Sequence, residues 1–220
     1  MVMSFFRKSE SSGLDHIAHQ TISMLADARH SFDLASTAVL SGADPEAVGV
    51  DIRATDQRIN EAEQRLRSEL VVHISVQGGA DIGPVMGYTL LLKKIERIGD
   101  QAKNILGLAE EGVSFVGEPD VGELNNTRRA ISGLIGECSD LLPGDDAETI
   151  QDFLERTEAL ADELELRIRE YMHSEEPGSY AVPRAILFRY WKRIVANLAG
   201  IVSGATEPLT HRDFFEDDDD

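Results

Sequence analysis

The stretch PVMGYTLLLKKIERIGDQAKNILGLAEEG, Pro84 to Gly112, decides the fold class. Within it Leu91, Ile95, Ile98, Ala102, Ile105 and Ala109 recur at alternating steps of four and three. That spacing lines one stripe of an α-helix. Asp81 stands ahead of the run as an N-cap candidate, Pro84 falls in the first turn, and Gly112 supplies the stop.

The same signals repeat on either side. Leu14, Ile17, Leu25, Ala28, Phe32, Ala35 and Val39 form a stripe over about Leu14–Leu40, halted by Gly42. Asp44, Pro45 and Glu46 are cap, first-turn proline and first-turn acid in order, so a second helix runs from there to about Gln77 and stops at Gly78-Gly79. Beyond a Gly/Pro-containing connection at 112–119, a fourth helix covers about Val121–Leu142 and ends at Pro143-Gly144. Asp145 or Asp146 caps a fifth, which continues to about His173. After Pro177-Gly178-Ser179-Tyr180 comes a sixth, with Pro183 placed in its first turn and Gly204 beyond its end.

No segment alternates like a half-buried strand, and short connections make successive helices antiparallel. The expected class is all-α: two tandem three-helix up-down-up bundles. The expected divisions are an N-terminal tail at 1–13, a first bundle at 14–112, a second, diverged bundle at 113–204 and an acidic tail at 205–220. An internal repeat supports the division, since Asp56, Asn60 and Glu63 recur at the same steps as Glu158, Asp162 and Glu165. IERIGDQAKNIL (95–106) also aligns with WKRIVANLAGIV (191–202).

With 42% hydrophobic and 28% charged residues the chain has globular composition. A net charge of −19 repels nucleic-acid phosphates and anionic lipid, so nucleic acid is not an expected partner. The lone Cys138 forms no internal disulfide and fits a reducing cytoplasm. The longest apolar run, Val85 to Leu92, is too short to cross a bilayer, and no stretch near the N-terminus is long enough for a signal-peptide core.

On the third helix Glu96 and Asp100 lie four apart on one face, continued by Asn104. Like charges at that spacing repel by roughly 0.2–0.5 kcal/mol unless a cation intervenes. That cation could be a metal, or it could be Lys93, Arg97 or Lys103 on an ordinary solvated face. The row centres opposite the Ile95/Ile98/Ala102 stripe, which places it on the outside of the bundle. Gly99, mid-helix, signals a close helix approach. The scattered histidines, His16 and His19 included, read as surface or packing residues, and Phe188, Tyr190, Trp191, Met24 and Met86 as core filling. No GxSxG elbow, HExxH or phosphate loop is present, so catalysis has no visible seat.

The eleven residues Ile95-Glu96-Arg97-Ile98-Gly99-Asp100-Gln101-Ala102-Lys103-Asn104-Ile105 resemble the signature of PhoU-type phosphate-signalling proteins. The resemblance implies paired three-helix bundles and a regulatory protein, not an enzyme, that modulates a phosphate transporter or its phosphate-sensing kinase. It implies a cytoplasmic protein that meets the membrane only through its partners, and a homodimer is compatible with it. It also implies metal binding through ExxxD rows, carried here by Glu96 and Asp100 with Asp56 on the second helix. Asn60 stands where a second acid is expected. In the second half Glu158 and Asp162 keep a row, but Lys192 and Ala196 replace Glu96 and Asp100. Lys192 is therefore expected to pair with Glu158 or Asp162. Oxygen ligands favour iron, manganese or magnesium, with zinc as a further candidate. Three alternatives are an accessory of a sodium- or proton-coupled phosphate carrier, a carboxylate-bridged metal enzyme and a metal-free dimeric scaffold whose acids bind nothing. Against the enzyme, the Glu170–His173 pair lies at the end of helix five, away from Glu96.

Overall fold

The structure, a computed structural model, describes residues 12–77, 81–142 and 146–206. Six helices and no strand occur among them: α1 (Ser12–Ser41), α2 (Pro45–Gln77), α3 (Ile82–Glu110), α4 (Val121–Leu141), α5 (Ala147–Met172) and α6 (Gly178–Thr206). The expected stops at Gly78-Gly79 and Pro143-Gly144, the Asp145 cap, most of the N-terminal tail and nearly all of the acidic tail lie outside the described residues. No described helix is long and apolar enough to cross a membrane.

Local chemistry explains most boundaries. The Asp44 carboxylate accepts from the Glu46 N–H at 3.1 Å, opening α2 where Pro45 presets the backbone. Asp146, in extended conformation, accepts from Glu148 N–H at 3.2 Å and from the Thr149 hydroxyl, which opens α5. Asp81 and Asp120 occupy the N-cap positions of α3 and α4 without a capping hydrogen bond from the side chain to the helix. Both have ψ near zero, outside the β-region that aims a cap side chain at its helix. Their carboxylates reach another element instead, Asp81 to His73 Nε2 at 2.8 Å and Asp120 to Arg184.

Two expectations are corrected at α6. The helix starts at Gly178 and runs to Thr206, so Pro183 sits inside it and not in the first turn, and Gly204 also lies inside it and not beyond its end. The Pro177 carbonyl accepts from the N–H groups of Tyr180 and Ala181, and this nucleates the helix ahead of the proline.

Cross-helix pairs fix an antiparallel order. Asp27 meets Arg58 and Gln20 meets Arg65 between α1 and α2, while Arg53 meets Glu110 and Asp56 meets Lys103 between α2 and α3. In the second triplet Glu165 meets Lys192 and Tyr171 stacks on Phe188. α3 packs on α1, α2 and α6, and α6 packs on α3, α4 and α5, so these two helices are central. α4 packs more on α1 than on α5. One apolar core therefore runs through both triplets, from Leu25, Phe32 and Ile98 to Trp191, Ile194 and Leu198. Trp191 is fully buried and meets Phe188 edge-on at 5.5 Å, as core filling requires. Met24 is buried too, whereas Met86 is exposed at the end of α3 that adjoins Ile82, also exposed.

The 111–120 connection is pinned in place. Gly112 and Gly117 take positive φ (85° and 81°), letting Phe115 turn back into the core and donate its N–H to Val39 O at 2.8 Å. Arg184 of α6, only 3% exposed, then clamps the end of the connection. It forms a bidentate pair with Asp120 (2.7 and 2.8 Å), reaches Glu118 at 2.9 Å, donates to Tyr180 O and lies 3.6 Å over the Tyr180 ring.

Candidate functional site

The acids singled out in the sequence lie on the face where α2 meets α3. α2 contributes Asp56, Asn60 and Glu63 at steps of four and three, so all three project toward one side. α3 runs antiparallel and contributes Glu96, Asp100 and Lys103. Gly99 makes the approach close, because a Cβ there would stand 3.2 Å from Ile59 Cδ1 and 4.0 Å from Asp56 Oδ1. The row is less external than its angular position suggests. The Glu96 side chain is 13% exposed and that of Asp56 16%, while Asp100 remains at 40%.

Lys103 joins the two helices. Its Nζ lies 3.0 Å from Asp56 Oδ1 and 2.9 Å from Asp100 Oδ1. Burial of Lys103 favours the neutral amine, yet hydrogen bonds to Asp100 and Asp56 and the charges of both acids outweigh it, so its pKa is raised and the ammonium persists. Lys93, one turn before Glu96 on α3, lies 2.7 Å from Glu96 Oε2. Asn60 donates its amide N–H to Asp56 Oδ2 at 3.2 Å.

Three oxygens on this face are buried without a well-directed hydrogen bond: Asp56 Oδ1, Glu63 Oε1 and Glu96 Oε2. Each nevertheless has a cation at ion-pair distance, namely Lys103, Arg67 and Lys93. The ion pairs neutralise these charges although their geometry is poorly directed for hydrogen bonding.

The second triplet differs. Glu158 and Asp162 are exposed on α5, and neither has an ion pair among the described residues. Lys192 pairs with Glu165 at 3.1 Å and not, as expected, with either of them. Glu165 lies one turn beyond Asp162 and two turns beyond Glu158 on α5, and the α5–α6 register selects it. Arg169 adds a second cation to Glu165 at 3.0 Å, and these partners, Lys192 first, hold its carboxyl below the usual range.

Taken together, Glu96, Asp100, Asp56 and Asn60, with Glu158 and Asp162 of the second triplet, do not present a converging metal-ligand set. Among the described residues no three His, Cys, Asp or Glu side chains group as ligands. The reason is specific. An ammonium occupies the space between Asp56 and Asp100, and the Asn60 amide is turned toward Asp56 as a donor. Sequence reasoning missed the bridging role of Lys103 and the Arg184 clamp. Both follow from which helices face each other, although Lys103 lies inside the signature itself.

The described histidines are structural or exposed. His16 is exposed near Glu69, His19 bonds its own helix at Asp15 O, and His30 meets Asp51 at 2.9 Å. Cys138 is fully buried, and burial pushes its thiol pKa well above the usual range, so it is held as an unreactive thiol.

Residues 16–109 match the model of the PhoU domain family. The fold is similar to the crystal structure of PhoU from Pseudomonas aeruginosa, with a TM-score of 0.75 over 88% of this chain and 95% of that one, at 19% sequence identity. No curated protein sequence matches significantly. The match to the PhoU domain family thus lies within α1–α3, and the chain, second triplet included, has a fold similar to that of PhoU.

Proposed function

We propose that the chain is a regulatory protein of phosphate uptake, acting by docking to a phosphate transporter or to the kinase that senses phosphate. The observation that carries this reading is the PhoU-domain match over α1–α3 joined to a PhoU-like fold that continues through α6. The physical features are consistent with a docking protein. A continuous core holds six helices rigidly, and long solvent-facing sides remain on α2 and α5, where Val50, Val71, Val72 and Val76, and Leu166 and Met172, are exposed. With a net charge of −19, contact with anionic lipid is unfavourable, and the membrane is reached through a protein partner.

The test is deletion of the gene, with phosphate uptake and alkaline phosphatase expression measured separately in phosphate-rich medium. Derepressed phosphatase supports control of the sensor kinase. Altered uptake with normal phosphatase supports the second reading, an accessory of a sodium- or proton-coupled phosphate carrier. A deletion strain unchanged in both would refute a role in phosphate control.

A further inference from the structure

The two triplets solve one electrostatic problem at two different levels of the same repeat. In the first, Asp56 of α2 lies opposite Lys103 of α3; in the second, Glu165 of α5 lies opposite Lys192 of α6. Glu165 is the repeat counterpart of Glu63, and Lys192 that of Glu96. The counterpart of Lys103 is Ala199, and that of Asp56 is the exposed Glu158. Each middle-to-last helix pair therefore carries one bridging lysine, but at non-equivalent levels. Where the second triplet has its lysine, the first has an acid. Where the first has its lysine, the second has an alanine.

This alternation matters because the carboxylates cannot be left unneutralised. Asp56 and Glu96 are mostly buried on a face that also carries Glu63 and Asp100, and partly buried like charges without a cation favour protonation or separation of the helices. A lysine on the facing helix removes that penalty with a charge the chain always carries. A divalent ion arriving between Asp56 and Asp100 must displace an ammonium at 3.0 and 2.9 Å, and is repelled by it until it does.

We propose that Lys103 and Lys192 are built-in cations of the α2–α3 and α5–α6 seams, so that the acids they meet, Asp56 and Asp100 in the first and Glu165 in the second, are neutralised from within the chain and the fold requires no metal ion. The inference rests on the side-chain arrangement and holds whichever partner the protein regulates. Lys103 is a positioning residue, keeping α2 and α3 in register through Asp56 while holding Asp100 on its own helix.

The test uses the full chain. Wild-type protein is dialysed with manganese, magnesium, iron(II) or zinc, its metal content is determined by elemental analysis, and its thermal unfolding is followed with and without chelator. The expected result is metal content far below one equivalent and a melting temperature that chelator leaves unchanged. Lys103→Met is expected to lower the melting temperature at neutral pH by about 2–8 °C, the range for loss of a partly buried ion pair in a chain of this size. Adding Asp56→Asn should restore part of that loss, because the uncompensated charge goes with it. Pure packing by the lysine stem predicts no restoration.

Lys192→Met with Glu165→Gln repeats the cycle in the second triplet, and serves if Lys103→Met does not fold. Stoichiometric metal in the wild type that Asp56→Asn or Asp100→Asn abolishes would overturn the proposal. So would a chelator-induced fall in wild-type melting temperature, or a pair cycle that shows no coupling.

Discussion

Replacing Arg184 with methionine should destabilise the protein more than any other single loss of charge described above. The substitution keeps an apolar stem of similar length and removes the guanidinium. Asp120, at 18% side-chain exposure, then loses both arms of its bidentate partner, and Glu118, at 37%, loses one. Removing one member of a buried pair costs about 3–5 kcal/mol. Glu118 is open enough to be screened, so the lower end applies, and the guanidinium stacked 3.6 Å over Tyr180 adds about 1 kcal/mol. The sum is about 3–4 kcal/mol, or a fall in melting temperature of about 6–16 °C for a chain of this length. Circular dichroism melts of wild type and Arg184→Met at neutral pH read it directly.

Acid supplies a second check. The Arg184 hydrogen bond, and after it the Arg184 charge, hold the Asp120 carboxyl below its usual pKa. The stabilisation is therefore complete above the unfolded value of about 4 and is lost as pH falls through the folded one. The gap between wild type and variant should narrow below about pH 4 for that reason. A neutral-pH gap of less than about 2 °C, or one that acid leaves unchanged, would refute the assignment of this clamp as a net stabilising pair.

Trp191→Ala should cost about 3–5 kcal/mol, since the side chain is fully buried against Phe188. Because the core is continuous across the triplets, calorimetry should show one displaced transition and not an early melting of the second half alone. Gly112→Ala forces a residue with a Cβ to φ near +85° and should cost about 1 kcal/mol by urea denaturation, although nothing crowds the added methyl. An unchanged midpoint there would mean that the connection reshapes freely.

The helices were legible because their signals are local. A stripe such as Leu91–Ala109 and a start such as Asp44-Pro45-Glu46 depend on spacing within a dozen residues, and α2 begins where that reading places it. Misreadings arose where a side chain had a better offer from another helix. Asp81 reads as a cap, yet its backbone conformation points the carboxylate away from α3, and His73 receives it. Pro183 reads as a first-turn residue, but the Pro177 carbonyl starts α6 earlier. In both cases the local rule describes a preference of about 1 kcal/mol, which a tertiary contact can override.

The candidate site was legible as residues and not as chemistry. That Glu96 and Asp100 share a face follows from one helix alone. Whether the cation they need comes from solution or from Lys103 depends on how far α3 slides along α2, and a shift of one turn, 5.4 Å, would carry Lys103 past Asp56. Gly99 is the sequence's only sign of that register, since it lets Ile59 and Asp56 approach the α3 backbone. The same argument explains why Lys192 meets Glu165, one turn beyond Asp162 and two beyond Glu158. Glu158, Asp162 and Glu165 are equivalent by helical periodicity, and the packing of α5 on α6, with Tyr171 stacked on Phe188 along the same seam, fixes which acid the lysine meets. Inter-helix register is thus the quantity that converts an acidic motif into either a metal site or an internal ion pair, and in this chain both triplets resolve it with a lysine.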